Sequence, residues 1–149
     1  MRLGKTFTLV RVLLVLSILV GFIILAFDGL LWFDNPKTHH ATALIAFTII
    51  QLFIVGLLFF KPRVGFRLTF YWSMLYLIIL LLNPLTAPAI GISVEAFALY
   101  LLGITPITST PQFACPFLCP PFIITYDLLI IIQIIIIATF LRTRGRGLR

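Results

Sequence analysis

The chain alternates long apolar runs with short polar or proline-bearing breaks. Predominantly hydrophobic stretches cover Val12 to Phe33, Ala41 to Phe60, Leu68 to about Leu82 with a possible reach to Leu85, and Pro121 to Leu141. The last of these is 21 residues long, and a helix of that length rises about 32 Å, enough to cross a hydrocarbon layer of about 30 Å. Each break carries a stop signal. DNPKTHH, from Asp34 to His40, holds a helix-stopping proline, KPRVGFR, from Lys61 to Arg67, is a tight basic turn, and Asn83 with Pro84 ends the third run. Between Asn83 and Pro121 the texture changes, with seven of the nine prolines and both cysteines.

That third connection also holds an apolar patch, Ala89 to Ile104, which is short for a span and carries Glu95 near its centre. Charge parity decides how to read it. With four spans, Arg2, Lys5, Arg11, Lys61, Arg63, Arg67, Arg142, Arg144, Arg146 and Arg149 share one side and only Lys37 lies on the other. Cationic residues beside spans collect on the cytoplasmic face, and a fifth span would destroy this asymmetry. The pattern therefore predicts an all-α membrane protein: a four-helix transmembrane bundle, spans 12–33, 41–60, 68–85 and 121–141, with both termini cytoplasmic. Ala89 to Ile104 is then a re-entrant or interfacial helix in the second outer loop, 86–120.

Composition agrees. The 149 residues are 62% hydrophobic and 10% charged, with mean hydropathy +1.21, outside the range of soluble domains. One integral membrane domain accounts for the whole length. Met1 to Ala26 has the basic start of a signal peptide, but its apolar run is too long and no A-x-A site follows, so it reads as a retained first span. The formal charge of +7 acts as a topology marker, and no nucleic-acid partner is expected. The RGRG tail reads as an orientation signal beside anionic lipid.

Candidate chemistry is sparse. Counting at about 1.5 Å per residue from the basic anchors puts Gln51, Tyr76 and Gln133 about 14 Å from the cytoplasmic edge, near the midplane. They are expected to form one polar layer, with Gly21 admitting close helix approach in the first span. Such interhelical hydrogen bonds are worth about 0.5 to 2 kcal/mol each. Ser17 and Ser73 each follow an arginine by six residues, and with the two glutamines they hint at a parallel repeat of two hairpins. Asp28 and Asp127 lie roughly 22 to 26 Å from the same edge and are the candidate relay acids, the alternative being interfacial solvation.

His39 and His40 are adjacent, and neighbours on one helix point about 100° apart, so they cannot clamp one haem. With Asp34 they lack a recognisable metal spacing, and neither metal nor cofactor is expected. Cys115 and Cys119 fall in the outer loop, where oxidation is permitted, and read as a disulfide that staples a proline-rich segment or as a redox pair beside a quinone site. In that topology and that cysteine pair the chain resembles the DsbB and vitamin K epoxide reductase families, which imply quinone-linked thiol-disulfide exchange. Those families use CxxC and a second pair, whereas this chain has C-x3-C and no second pair, which removes the electron relay.

No phosphate-binding glycine loop, HExxH or G-x-S-x-G is present. The leading expectation is a non-catalytic multi-pass protein, an accessory or assembly subunit whose partners are the lipid bilayer and other membrane subunits or copies of itself. Two other classes stand beside it: a small oligomeric channel or transporter using Gln51, Tyr76, Gln133 and Asp127, and a thiol-disulfide oxidoreductase using Cys115 and Cys119.

Overall fold

The structure, a computed structural model, describes residues 3–25, 40–90, 93–101 and 119–146. These are all-helical: α1 is Leu3–Ile24, α2 His40–Phe60, α3 Pro62–Leu82, α4 Val94–Leu101 and α5 Cys119–Arg146, with a 3-10 helix, Asn83–Ile90, between α3 and α4. Four segments, Gly4–Ile24, Thr42–Phe60, Pro62–Leu85 and Thr125–Thr143, are long and apolar enough to cross a membrane. The expected reach of the first span, 26–33, lies outside the described residues. α1 begins well before Val12, so Arg11 stands inside the helix rather than at its foot.

The four long helices pack in a closed ring, α1 against α2 and α5, and α3 against the same two. Each turns a 3-4-spaced seam inward. The seams are Val10, Leu13, Ser17, Val20 and Ile24 on α1; Leu44, Phe47, Gln51, Ile54 and Leu58 on α2; Phe66, Thr69, Ser73, Tyr76 and Leu80 on α3; and Tyr126, Leu129, Gln133, Ile136 and Phe140 on α5. All of these are buried or half-buried. This is the spacing of left-handed helix packing, in which side chains of one helix fill holes of the next. Leu9, Val12, Phe22, Ile49, Phe53, Leu75, Ile78, Ile131 and Ile134 face outward.

All described cations of the long helices lie at one end. Ring contacts there join the start of α1, the start of α3 and the end of α5: Phe7 meets Phe66 edge-on at 5.1 Å, Phe66 stacks with Phe140 at 5.1 Å, and Phe70 stacks with Phe140 at 4.1 Å. Lys5, Arg11, Lys61, Arg63, Arg67 and Arg142 flank this cluster in sequence.

Two prolines shape the helix ends. In a continuous helix the carbonyl of Leu58 would accept from residue 62 and that of Leu80 from residue 84, and both positions are proline, which has no N–H. At the first site α2 closes with Lys61 N–H donating to Leu57 O at 2.7 Å, and α3 opens with Gly65 N–H donating to Lys61 O at 2.9 Å. Lys61, at φ −135 and ψ 71, alone breaks the helix, and Pro62 begins the next one, where its fixed φ suits the first turn. At the second site Asn83 N–H donates to Leu80 O, an i to i−3 bond that starts the 3-10 segment.

α4 has only eight residues, a rise of about 12 Å, so within the described residues Ala89 to Ile104 contains no spanning helix. Ser93 caps it, its hydroxyl accepting from Ala96 N–H at 3.1 Å, and Phe97 pins it to the shared core at 2% exposure. Residues 102–118 lie outside the described part.

The one-residue turn brings α2 and α3 so close that only glycine fits at position 65. A Cβ there would sit 2.6 Å from the Leu58 nitrogen and 2.8 Å from the Leu57 carbonyl carbon, and backbone cannot swing aside as a side chain can. Gly65→Ala is expected to cost about 1 to 3 kcal/mol by overpacking, read as a lower melting temperature in detergent. Gly56→Ala, with nothing within 4 Å of its Cβ, is expected to leave melting unchanged or raise it, since alanine is the better helix former by about 1 kcal/mol.

Candidate polar core site

The candidate site is a layer halfway along the ring. At the middle position of the four seams stand Ser17, Gln51, Ser73 and Gln133, alternating serine and glutamine, each at 2% exposure or less. Gln133 Nε2 donates to Ser17 Oγ at 3.1 Å, joining α5 to α1. Tyr76, at 1% exposure, lies one turn further along α3. Its ring packs against Phe47 of α2 at 5.2 Å and Trp72 at 5.8 Å, with Phe47 and Trp72 at 5.5 Å. Gln51, Tyr76 and Gln133 are thus all interior, and the serines, which depth counting set aside as a repeat signal, stand at the glutamine level.

Gly21 is also interior, one turn beyond Ser17. A Cβ on it would lie 3.4 Å from Thr48 Oγ1 and 3.8 Å from Leu44 Cδ1, so α1 and α2 do approach closely there. Thr48 and Thr69 satisfy their hydroxyls within their own helices, donating to Leu44 O at 2.8 Å and Gly65 O at 2.7 Å. By contrast, Thr6 Oγ1, Arg11 Nε, Trp72 Nε1, Ser73 Oγ and Tyr76 Oη are buried without a hydrogen-bond partner.

Side chains from other helices meet both carbonyls whose fourth-residue donor is replaced by proline. Arg11 donates from Nη2 to Leu58 O at 2.6 Å, and its guanidinium also lies over the Phe59 ring at 4.5 Å. A cation at a helix C-terminus is favoured by the helix dipole and by the aromatic face. At the opposite end Tyr126 Oη donates to Leu80 O, and Tyr126 also shares a side-chain hydrogen bond with Asn83. Sequence reading placed Arg11 only among the cations that set the topology and passed over Tyr126. Counting four back from each proline finds the two carbonyls, Leu58 and Leu80, but not the side chains that meet them.

Among the remaining candidates, two acids are described and both are peripheral. Asp127 is exposed in the early turns of α5, and Glu95 is exposed in the first turn of α4. Asp28, Asp34, His39 and Cys115 lie outside the described residues, as do the side chains of His40 and Cys119. Among the described residues no group of three or more His, Cys, Asp or Glu is placed to hold a metal ion.

Ser17→Ala and Gln133→Leu are each expected to lower stability by about 0.5 to 2 kcal/mol. The double variant should fall by less than the sum, because the two share one bond; chemical unfolding in mixed micelles measures it. Arg11→Met leaves a buried carbonyl unmet and is expected to cost about 1 to 3 kcal/mol, whereas exposed Arg63→Met should cost little.

Comparison with known proteins finds no matching family model, no matching curated protein and no matching solved structure.

Proposed function

We propose that this chain is a four-helix transmembrane bundle with both termini cytoplasmic and α4 re-entrant or interfacial in the second outer loop, and that it serves as a non-catalytic accessory or assembly subunit of a larger membrane complex. The observation that carries this is how its polar interior is used. Arg11, Tyr126 and the Ser17–Gln133 pair all join one helix to another. The collection of described cations at one end supports the orientation, by the cytoplasmic bias of Lys and Arg.

The surface left for a partner is most extensive on α2, whose span is 22% buried against 33% for α1 and α5. Ile49, Phe53, Phe59 and Phe60 stand out from it. Aromatic side chains supply large, rigid contact area, and between apolar helices in lipid such packing replaces the hydrophobic effect. A second reading, a small channel or transporter, draws support from the unpartnered hydroxyls of Ser73 and Tyr76 in the polar layer.

Extraction from native membranes in mild detergent followed by native mass measurement tests the subunit reading. The expected result is a stoichiometric assembly with other polypeptides, well above the 16.8 kDa of the chain. Ile49→Ser with Phe53→Ser should release it without changing its own melting. Recovery as a lone chain or only as copies of itself contradicts the proposal.

A further inference from the structure

The polar layer is symmetric in sequence and asymmetric in bonding. Ser17 and Ser73 occupy equivalent seam positions on α1 and α3, and Gln51 and Gln133 on α2 and α5. Around the ring, the α1–α5 corner corresponds to the α3–α2 corner. The first is closed by the Gln133–Ser17 hydrogen bond. In the second, Ser73 Oγ has no partner at 0% exposure, although Thr69 one turn away satisfies itself on its own helix. Where α1 then has Val20, α3 has Tyr76, whose hydroxyl is likewise buried and unpartnered.

Ser73 and Tyr76 are three residues apart and therefore neighbours on one helix face, about 5 to 6 Å between Cβ atoms. Helical side chains lean toward their own N-terminus, which brings the Tyr76 hydroxyl back toward the Ser73 level. The Tyr76 ring rests on Phe47, and Gln51 follows Phe47 by one turn on the same seam. Two buried hydroxyls on α3 and one buried primary amide on α2 thus stand within about one turn of one another along adjoining seams. Each can donate and accept, and no charged side chain stands on the seams at this level. Buried groups of this kind are met by internal water, which takes about three hydrogen bonds from polar neighbours.

We propose that the corner formed by Gln51, Ser73 and Tyr76 is a water-binding site at the level of the polar layer. Toward the basic end Leu13, Ile54 and Ile136 are buried and Phe66, Phe70 and Phe140 stack. Toward the other end Val20, Leu80 and Leu129 are buried as well, so apolar side chains close the corner on both sides. The ligand is neutral because the site offers no counter-charge. This inference is independent of the subunit reading: a subunit with a hydrated corner and one without assemble alike, so the native-mass result leaves it standing or falling on its own test.

Melting of Ser73→Ala, Tyr76→Phe and the double variant in lipid nanodiscs provides that test. A shared water is lost once, so each single variant lowers the melting temperature and the double variant lowers it no further than the worse single. In a dry corner, deleting an unmet hydroxyl raises the melting temperature or leaves it unchanged, and additive losses mean separate roles; either result overturns the proposal. Water-edited NMR on the unaltered chain gives a readout that does not depend on variants. Magnetisation from water must reach the Tyr76 ring faster than the Leu129 and Ile136 methyls. Equal build-up at all three overturns the site.

Discussion

Two backbone carbonyls that lose the usual donor four residues on govern how these helices fit together. Pro62 and Pro84 each withhold the N–H that the carbonyl four residues earlier would take, and both carbonyls belong to residues buried in the core, Leu58 and Leu80. In an apolar medium a carbonyl with no donor costs several kcal/mol; Leu80 O keeps Asn83 N–H, while Leu58 O depends on what another helix brings. Arg11 reaches the first and Tyr126 the second. The first contact fixes α1 against the end of α2, and the second fixes the start of α5 against the end of α3. Because they sit at opposite ends of the ring, together they set its register, and with the register set Gln133 meets Ser17 halfway along.

The same constraint explains the contrast between the connections. The α2–α3 turn is a single residue made possible by Gly65, where two backbones nearly touch. α3 instead runs on into a 3-10 segment, which keeps Asn83 N–H on Leu80 O where Pro84 forbids the wider bond. Phe97 then folds α4 back onto the core. That short helix is held by one buried aromatic and a serine cap.

Much of this was legible in the sequence. The four apolar runs, the break at Asn83 and the interior placement of Gln51, Tyr76 and Gln133 follow from length, punctuation and counting from the cations, whereas the turn expected over Lys61 to Arg67 shrinks to Lys61 alone, with 62–67 helical because Pro62 suits a first turn. The seams were not legible, because outward residues such as Ile49, Phe53 and Ile131 are as apolar as inward Ile54 and Ile132; in lipid both faces have the same polarity. Arg11 was read as an edge marker since a lone cation in an apolar run ordinarily goes to the headgroups. Its carbonyl partner lies 47 residues away, and only knowledge of which helices adjoin reveals it. Ser17 was matched to Ser73 by spacing, while its actual partner, Gln133, is 116 residues distant.

The most direct test of the account is a stability cycle between Tyr126→Phe and Pro84→Ala, measured by unfolding in lipid nanodiscs. Asn83 has helical φ and ψ of −51 and −39, so an alanine at position 84 is placed to offer its N–H to Leu80 O. The account predicts that Tyr126→Phe costs about 0.5 to 1.5 kcal/mol in the native background, where Asn83 N–H still meets Leu80 O, and markedly less when residue 84 is alanine. Equal cost in both backgrounds would contradict it, because the tyrosine would then contribute something other than the bond that proline leaves open.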